Sequence, residues 1–271
     1  MIDWHCHILP GIDDGPATMD EAVEMAGILR EVGYSDVYCT PHLIRGAFDA
    51  SRDRVGKGVA ELQERLNTLR IDLRLFPGRE YYLDEFLAGY LADPQPLGTS
   101  GQILIETAGH MSPDYLKETC YRIRSGGFIP LIAHPERSPR FELPPPSKNG
   151  LREWFHGQCS RLQDKRRISN VERSSNPLVD YLSEIGCKFQ GNIGSFAGIY
   201  GEPVRRQAVA FLEAGLYDRL GTDAHSARHL KQWLAQGLRE AERIAGAEAV
   251  RRLLGAQPGT PGSDTMKRDD L

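Results

Sequence analysis

Short apolar segments alternate with helical segments through most of the 271 residues, and this alternation constrains the fold more than any other feature. Seven segments have the length and composition of strands: 2–4, 36–40, 73–76, 103–105, 128–133, 187–190 and 217–220. Most of them are followed by a helix, which predicts an α/β fold with a parallel sheet, open or closed. Seven such units suit a barrel related to the eightfold (β/α) TIM type, whose reactive groups lie at the carboxyl ends of the strands.

Local signals predict several helix boundaries. Thr18 and Glu21 have the spacing of a capping box, and Gly33 is placed to end the same helix. Asn176 followed by Pro177 predicts another helix start. The N–H of the first helical residue has no hydrogen-bond partner within the helix, so proline, which lacks it, is tolerated there. The segment 227–254 is predicted to be one long helix.

Two segments depart from the alternation. Segment 138–175 contains three consecutive prolines and then a basic run, and a structureless loop this long is unusual in a compact domain. We expect a solvated, partly disordered insertion here, with a lid or a partner-docking arm as less favoured alternatives. The residues 255–271 are rich in glycine and proline and then charged, which predicts a disordered tail. The expected organisation is one domain over 1–254 that carries an insertion.

The composition excludes several classes of protein. With 40% hydrophobic and 26% charged residues and a net charge of −4, the chain has no basic footprint for nucleic acid. No apolar run approaches the roughly 20 residues that span a membrane, and no charged-then-apolar leader is evident. The five scattered cysteines favour free thiols in a reducing compartment. We therefore expect a cytoplasmic protein with no nucleic-acid partner and no membrane insertion.

Six of the seven predicted strands end beside a potential metal ligand. Alternate side chains of a strand point the same way, so His5 and His7 would share one face. The full set holds five imidazoles and four carboxylates: His5, His7, Asp13 or Asp14, His42, Glu80, Glu106, His134, Asp223 and His225. Gathered at one end of a sheet, the carboxylates would repel one another unless divalent cations separated them. Nine nitrogen and oxygen donors without a thiolate suit two or three ions of zinc, manganese, iron or magnesium.

A metal cluster of this kind is typical of hydrolysis, in which a metal-bound hydroxide attacks an ester. A phosphate substrate also needs cationic groups, and Arg137 and Arg45 each lie three residues after a candidate ligand. The alternative for each arginine is an ordinary surface ion pair. A cysteine-based phosphatase is not favoured, because it needs a cysteine followed by a loop of backbone N–H groups and an arginine six positions on. Cys159 is followed at that distance by Lys165, with no glycine between them. Cys39 is followed at that distance by Arg45, but the interval holds no glycine, and Pro41 within it lacks an N–H.

Six motifs occur in order along the chain: His5-x-His7 with Pro10-Gly11-x-Asp13-Asp14-Gly15, Thr40-Pro41-His42, Gly78-Arg79-Glu80, Ile105-Glu106, Ala133-His134-Pro135-Glu136-Arg137 and Thr222-Asp223-Ala224-His225. This series resembles the polymerase-and-histidinol-phosphatase (PHP) superfamily. Within it, the opening motif is most similar to the bacterial metal-dependent protein-tyrosine phosphatases of capsule and exopolysaccharide gene clusters. The stretch 190–201 is also similar to that branch.

The resemblance implies a distorted (β/α)7 TIM-like barrel around three divalent ions, usually manganese or iron and sometimes zinc or magnesium. It implies three ligand groups: His5, His7, Glu80 and Asp223; Glu80, Glu106 and His134; and Asp14, His42 and His225. Arg137 would bind the phosphate. Relatives carry a further arginine shortly after the Asp-x-His motif, where this chain offers Arg228 at a different spacing. The implied substrate is the tyrosine-rich C-terminal tail of an autophosphorylating bacterial tyrosine kinase, and the implied assembly is a ring-like homo-oligomer.

Three hypotheses about function remain open at this point. The favoured one is a phosphoric monoester hydrolase acting on phosphotyrosine in protein, with Arg137 stabilising the transition state. Asp14, His42 or a metal-bound water would protonate the leaving tyrosyl oxygen. The second is a small-molecule phosphatase for histidinol phosphate or a sugar phosphate. The third is a non-catalytic metal-binding scaffold that docks a polysaccharide-assembly kinase.

Overall fold

All seven predicted strands are present in the computed structural model, which describes residues 1–107, 109, 111–144 and 176–255. Within these residues the strands are β1 (Ile2–Cys6), β2 (Asp36–Cys39), β3 (His42–Leu43), β4 (Arg74–Pro77), β5 (Glu80–Tyr82), β6 (Gln102–Glu106), β7 (Ile129–Ala133), β8 (Lys188–Asn192) and β9 (Tyr217–Gly221). The sequence did not predict β3 and β5. They are very short, and each follows a predicted strand after an interval of two residues.

The strands form two parallel sheets, in the orders β1-β2-β4 and β3-β5-β6-β7-β8-β9. The end of β1 also lies beside the end of β9, because the Asp223 N–H donates to the His5 carbonyl at 2.7 Å and the His7 N–H donates to the Ala224 carbonyl at 3.0 Å. On its other side, the Cys6 carbonyl accepts from the Thr40 N–H at 2.9 Å. The mixed α/β fold with parallel strands is therefore as predicted.

Helices follow most of the strands. Those described are α1 (Met19–Val32), α2 (Arg52–Thr68), α3 (Leu87–Tyr90), α4 (Pro113–Ser125), α5 (Pro177–Glu184), α6 (Ile193–Ala197), α7 (Glu202–Glu213), α8 (Leu230–Ala245) and α9 (Ala247–Leu253). The capping box at Thr18 and the left-handed cap at Gly33 are both present. Asn176 accepts from two N–H groups at the start of α5, as predicted. No helix among the described residues is long and apolar enough to cross a membrane.

The prediction of one long helix over 227–254 is wrong. Gly246 has a φ of +84° and separates α8 from α9. Glycine adopts this left-handed conformation without the steric cost that a Cβ atom would add, so it can end one helix and start the next. His229, also left-handed with a φ of +55°, precedes α8.

The predicted insertion begins too early. Residues 138–144 pack against the rest of the fold. Phe141 is fully buried, and its ring lies edge-on to Phe189 at 6.5 Å between centroids. The Asn176 amide donates to the carbonyls of Arg140 and Glu142 at 3.0 Å, which joins this segment to the start of α5. The remainder of the predicted insertion, 145–175, and of the predicted tail, 256–271, lies outside the described residues.

The apolar core has a large part beneath the helices and a small second cluster against the other face of the strands. The small cluster contains Trp4, Leu97, Leu104, Leu131 and Ala133, and Tyr38 stacks on Trp4 at 5.0 Å. Leu104 lies two residues before Glu106, and Ala133 directly precedes His134. Because alternate residues of a strand share a face, Leu104 points to the same side as Glu106, and the cluster lies beneath this carboxylate at the end of β6.

Candidate metal centre

The strand ends bring donor atoms together in three groups, each with its members within 4.8 Å of one another. The groups are His5, His7, Glu80 and Asp223; His42, Glu80 and Glu106; and His7, Asp14, His42 and His225. His134 adjoins the second group, with its Nε2 atom 3.1 Å from Oε1 of Glu80. All nine predicted ligands therefore lie at one end of the sheets. The structure groups His42, rather than His134, with Glu80 and Glu106.

Glu80 is the centre of this arrangement. Its Oε2 atom lies 3.3 Å from His5 Nε2, 3.2 Å from His7 Nε2 and 2.9 Å from His42 Nδ1, and the side chain is fully buried. Burial alone would raise the pKa of the Glu80 carboxyl, but the surrounding His5, His134 and His42 hold that pKa well below its ordinary value. Glu80 is thus an ionised carboxylate that faces several imidazoles at once.

Three of the imidazoles are oriented by a contact at Nδ1. The partners are Gln190 Oε1 at 2.8 Å for His5, Asp13 Oδ2 at 2.7 Å for His7, and the Asp223 carbonyl at 2.9 Å for His225. With the proton on Nδ1, each ring presents the lone pair of Nε2 to the donor groups. Metal-binding histidines have this kind of support in most proteins, so the rings are arranged as metal ligands require.

Asp13 and Asp14 have different surroundings. Asp13 accepts from the His42 N–H at 3.1 Å and the Gly15 N–H at 3.0 Å, in addition to its contact with His7. Asp14 is half-exposed, and its Oδ1 atom lies 3.3 Å from His225 Nε2 and 3.6 Å from His42 Nε2. The geometry therefore favours Asp14 as the ligand and Asp13 as the residue that shapes the loop and orients His7.

Two buried atoms at the centre lack a hydrogen bond within the described residues, namely His42 Nδ1 and Glu80 Oε2. They lie 2.9 Å apart, but not in the geometry of a hydrogen bond. Buried polar atoms are almost always paired, because an unpaired one loses its hydration without compensation. A divalent cation coordinated by both atoms would satisfy them, and the nitrogen and oxygen donors around them suit such an ion. The residues present therefore fit a metal centre.

His134 and Asp223 adopt left-handed backbone conformations, with φ values of +31° and +53°. For residues with a Cβ atom this conformation carries strain, of order 1–3 kcal/mol per residue, and it persists only where surrounding contacts enforce it. Both residues directly follow or nearly follow a strand, β7 and β9, and both side chains face the donor groups. The sequence carries no signal for this strain.

A cavity of about 380 Å³ opens above the donor groups and is lined by Asp14, His42, Glu106, His134, Arg137, Tyr200, Asp223 and His225. Arg137 donates from Nη1 to Asp223 Oδ2 at 2.8 Å, and its guanidinium lies 4.6 Å from the centre of the Tyr200 ring. Burial, and then the Asp223 carboxylate, raises the pKa of the Tyr200 phenol. Arg137 therefore lies where the sequence predicted a cationic group beside the ligands.

A network of buried hydrogen bonds holds the Asp223 carboxylate on the side away from the cavity. Asn192 donates from Nδ2 to Asp223 Oδ2 at 2.7 Å and accepts from Gln190 Nε2 at 2.9 Å. Glu136 accepts from the Asn192 N–H at 2.9 Å, the Ser195 hydroxyl at 2.8 Å and the Tyr217 hydroxyl at 2.9 Å. Sequence reasoning assigned no role to these residues or to Tyr200. The available signal was the stretch 190–201, which follows a predicted strand just as the ligands do.

The other two candidate arginines do not line this cavity. Arg45 stacks on Phe86 at 4.2 Å and lines a separate cavity of about 420 Å³ with Glu85, Gly89 and Tyr90. Arg228 is exposed in the turn that precedes α8. Among the described residues, Arg137 is thus the arginine that the structure places with the donor groups.

Cys6 and Cys39 are buried, and burial raises the pKa of both thiols. Neither lines the cavity. A protonated, inaccessible thiol is a poor nucleophile, so both cysteines act as packing residues.

Comparison with known proteins gives a consistent result. The model of the CpsB/CapC family of capsular polysaccharide synthesis matches residues 1–143. The tyrosine-protein phosphatase YwqE of Bacillus subtilis is 30% identical over 251 residues, which cover 92% of this chain and 86% of YwqE. The tyrosine-protein phosphatase CpsB of Streptococcus pneumoniae is 24% identical, with 95% and 96% of the two chains covered.

The fold is similar to a solved structure as well. A chain from the crystal structures of YwqE and CpsB, described as unique metal-dependent tyrosine phosphatases, superposes with a TM-score of 0.72 at 28% identity. The match covers 95% of this chain and 96% of that one. The likeness extends over nearly the whole chain.

Proposed function

This chain belongs to the CpsB/CapC family of capsular polysaccharide synthesis proteins, and from that premise we propose that it is a metal-dependent protein-tyrosine phosphatase of capsule or exopolysaccharide synthesis. The observation that carries the proposal is the convergence of nine nitrogen and oxygen ligands with Arg137 at one cavity. A metal-binding scaffold has no need of an open cavity with a cationic group beside its ligands.

Three divalent ions would occupy the site, most often manganese, with iron, zinc or magnesium as alternatives. His5, His7, Glu80 and Asp223 would hold the first ion; Glu80, Glu106 and His134, with His42 nearby, the second; and Asp14, His42 and His225 the third. Bound ions would supply a water molecule that loses its proton near neutral pH, and positive charge for the phosphoryl oxygens. The two unpaired atoms at the centre support this assignment.

Arg137 would bind the phosphoryl group of the substrate. One nitrogen of its guanidinium is held by Asp223, and the other guanidinium N–H groups make no hydrogen bond within the described residues. A guanidinium fixed at one end in this way presents a planar pair of donors, which suits phosphate oxygens. Asp14 and His42 line the same cavity and remain the candidates for protonating the leaving tyrosyl oxygen.

We propose a tyrosine-phosphorylated protein as the substrate, in particular the C-terminal tail of a bacterial tyrosine kinase, and a homo-oligomeric enzyme in the cytoplasm. We also propose that the strands form a distorted, closed (β/α)7 barrel in one domain over 1–254. The contact of β1 with β9 supports closure, because it joins the first strand to the last.

The test is hydrolysis by purified protein reconstituted with manganese. Activity on p-nitrophenyl phosphate, removed by a chelator and restored by metal, is the expected result. Faster hydrolysis of a phosphotyrosyl peptide than of histidinol phosphate would identify the substrate class, and the reverse preference would favour a small-molecule phosphatase. If no phosphomonoester is hydrolysed at any metal loading, the enzyme proposal fails and the scaffold remains.

Thiol alkylation provides a second, independent check. The four described cysteines, Cys6, Cys39, Cys120 and Cys187, are buried, so alkylation of a folded Cys159→Ser variant should leave activity intact. Strong inactivation under conditions that preserve the metal content would contradict chemistry based on the metal centre.

A further inference from the structure

Tyr200 lines the cavity but has no place in the function described so far. It lies in the loop between α6 and α7, between Gly198 and Gly201, which have φ values of +78° and +91°. The two left-handed glycines turn the chain on either side of Tyr200, so that its side chain enters the cavity while the neighbouring Ile199 stays exposed. The loop thus presents one aromatic ring to the site.

The ring of Tyr200 covers the guanidinium of Arg137. The distance from the guanidinium carbon to the ring centre is 4.6 Å, within the range of a cation–π contact. Arg137 is also held at Nη1 by Asp223 at 2.8 Å, and the other carboxylate oxygen of Asp223 faces His5 and His7. The guanidinium is therefore held at one end by a carboxylate of the metal centre, and its central carbon lies over the ring of Tyr200.

A hydrogen bond at one end leaves a long arginine side chain free to rotate about that contact. Contact between the guanidinium and an aromatic ring restricts this rotation. The restriction matters for bidentate phosphate recognition, because two parallel N–H donors must lie in the plane of the phosphate oxygens. Fixing the donors in advance reduces the entropy lost on binding.

We propose that Tyr200 is a positioning residue for Arg137, whose aromatic ring orients the guanidinium for a phosphoryl group bound at the metal centre. The proposal rests on the proposed function for the identity of the ligand, a phosphomonoester or its phosphate product. It assigns the effect to the ring and not to the hydroxyl. A phenylalanine at this position keeps the ring, whereas leucine or methionine keeps most of the volume without it.

The test is a double-mutant cycle with Tyr200→Leu and Arg137→Ala. Inorganic phosphate binding to the manganese-loaded protein is measured by calorimetry, and kcat and KM are measured on p-nitrophenyl phosphate. Loss of a partly desolvated cation–π contact predicts phosphate affinity and kcat/KM lower by roughly 5- to 30-fold for Tyr200→Leu. In the Arg137→Ala background the same change should alter either quantity by less than about twofold, because the coupled partner is absent.

Three controls separate positioning from general damage. Tyr200→Phe should retain phosphate affinity within about twofold of the parent, since cation–π attraction depends on the ring. Tyr121→Leu makes the same exchange at an exposed tyrosine on α4 and should change nothing. Metal content and melting temperature should match the parent, and Tyr200→Met replaces Tyr200→Leu if the leucine variant does not fold.

An equal loss from Tyr200→Leu in the presence and absence of Arg137 would overturn the proposal, as would a Tyr200→Phe variant as impaired as Tyr200→Leu. The calorimetric cycle needs no turnover. If the protein hydrolyses nothing but the coupling in phosphate binding persists, the proposed function fails and the role of Tyr200 stands. If hydrolysis is normal but the coupling is absent, the role of Tyr200 fails alone.

Discussion

The centre of the metal site and its mouth are built differently. The side chains of His5, His7 and Glu80 are fully buried, and both imidazoles are oriented by a further side chain. At the mouth, the side chains of Asp14 and His225 are 52% and 32% exposed. A donor group that is buried and fixed in advance loses little freedom when it binds an ion. If the proposed ions bind here, we expect the centre to hold its ion more firmly than the mouth, where ligands would exchange with substrate and solvent.

Loss of Glu80 should produce the largest effect, because its two oxygens face four imidazoles. For Glu80→Gln we expect loss of bound metal and a decrease in kcat of about a thousandfold or more. Metal ions stabilise the transition state by several kcal/mol, and about 1.36 kcal/mol corresponds to a tenfold change in rate. Elemental analysis and steady-state kinetics measure both quantities. Glu24→Gln, an exposed change on α1, is the control. A variant with full metal content and activity would show that the centre does not depend on Glu80.

Arg137→Ala should separate substrate binding from metal binding. The guanidinium contacts the metal centre only through Asp223 among the described residues, so the metal content should stay near that of the parent. We expect kcat/KM to fall by roughly a hundredfold, the range seen when one charge-stabilising donor is removed. Parallel measurements of metal stoichiometry and kinetics provide the check. Loss of metal in this variant would mean that Arg137 supports the centre instead of the substrate.

Asp14→Asn examines the mouth directly. The side chain is half-exposed and belongs to one donor group only, with His7, His42 and His225. We expect loss of one ion per chain while the central ligands keep theirs, and a fall in activity of roughly 10- to 100-fold, which excess metal partly restores. Titration with manganese, followed by metal counting, measures this. Asp114→Asn, exposed on α4, is the matched control. Loss of every ion would remove the distinction between centre and mouth.

Glu136→Gln should have the smallest effect on activity and a clear effect on stability. Glu136 is buried and accepts three hydrogen bonds, one of them from the backbone of Asn192, which in turn binds Asp223. An amide cannot accept all three, so we expect unfolding to be easier by roughly 1–3 kcal/mol and metal affinity to fall by roughly tenfold. Thermal unfolding with and without metal is the measurement. An unchanged melting temperature in both states would show that the network beneath the centre carries little energy.

The strands were predictable for a local reason. An apolar run that ends in, or directly before, Glu or His is visible in a few consecutive residues, and β6 and β7 have this form. The capping box at Thr18 is equally local, because its two partners are three residues apart. The prediction for segment 227–254 was wrong because a helical apolar pattern continues on both sides of Gly246. A single glycine can either end a helix or lie within one, and the sequence does not distinguish the two cases.

The sequence by itself determined which residues could form the metal centre. Each candidate ligand follows a predicted strand, and the carboxyl ends of parallel strands meet at one edge of a sheet. Only the tertiary structure decided the position of each residue. It places Glu80 at the centre, Asp13 against His7, Asp14 at the cavity and Arg45 at a separate cavity. It also decided the supports Gln190, Asn192, Glu136 and Tyr200. Such contacts join residues far apart in sequence, and hydrogen-bond and ring geometry exist only once the strands have assembled.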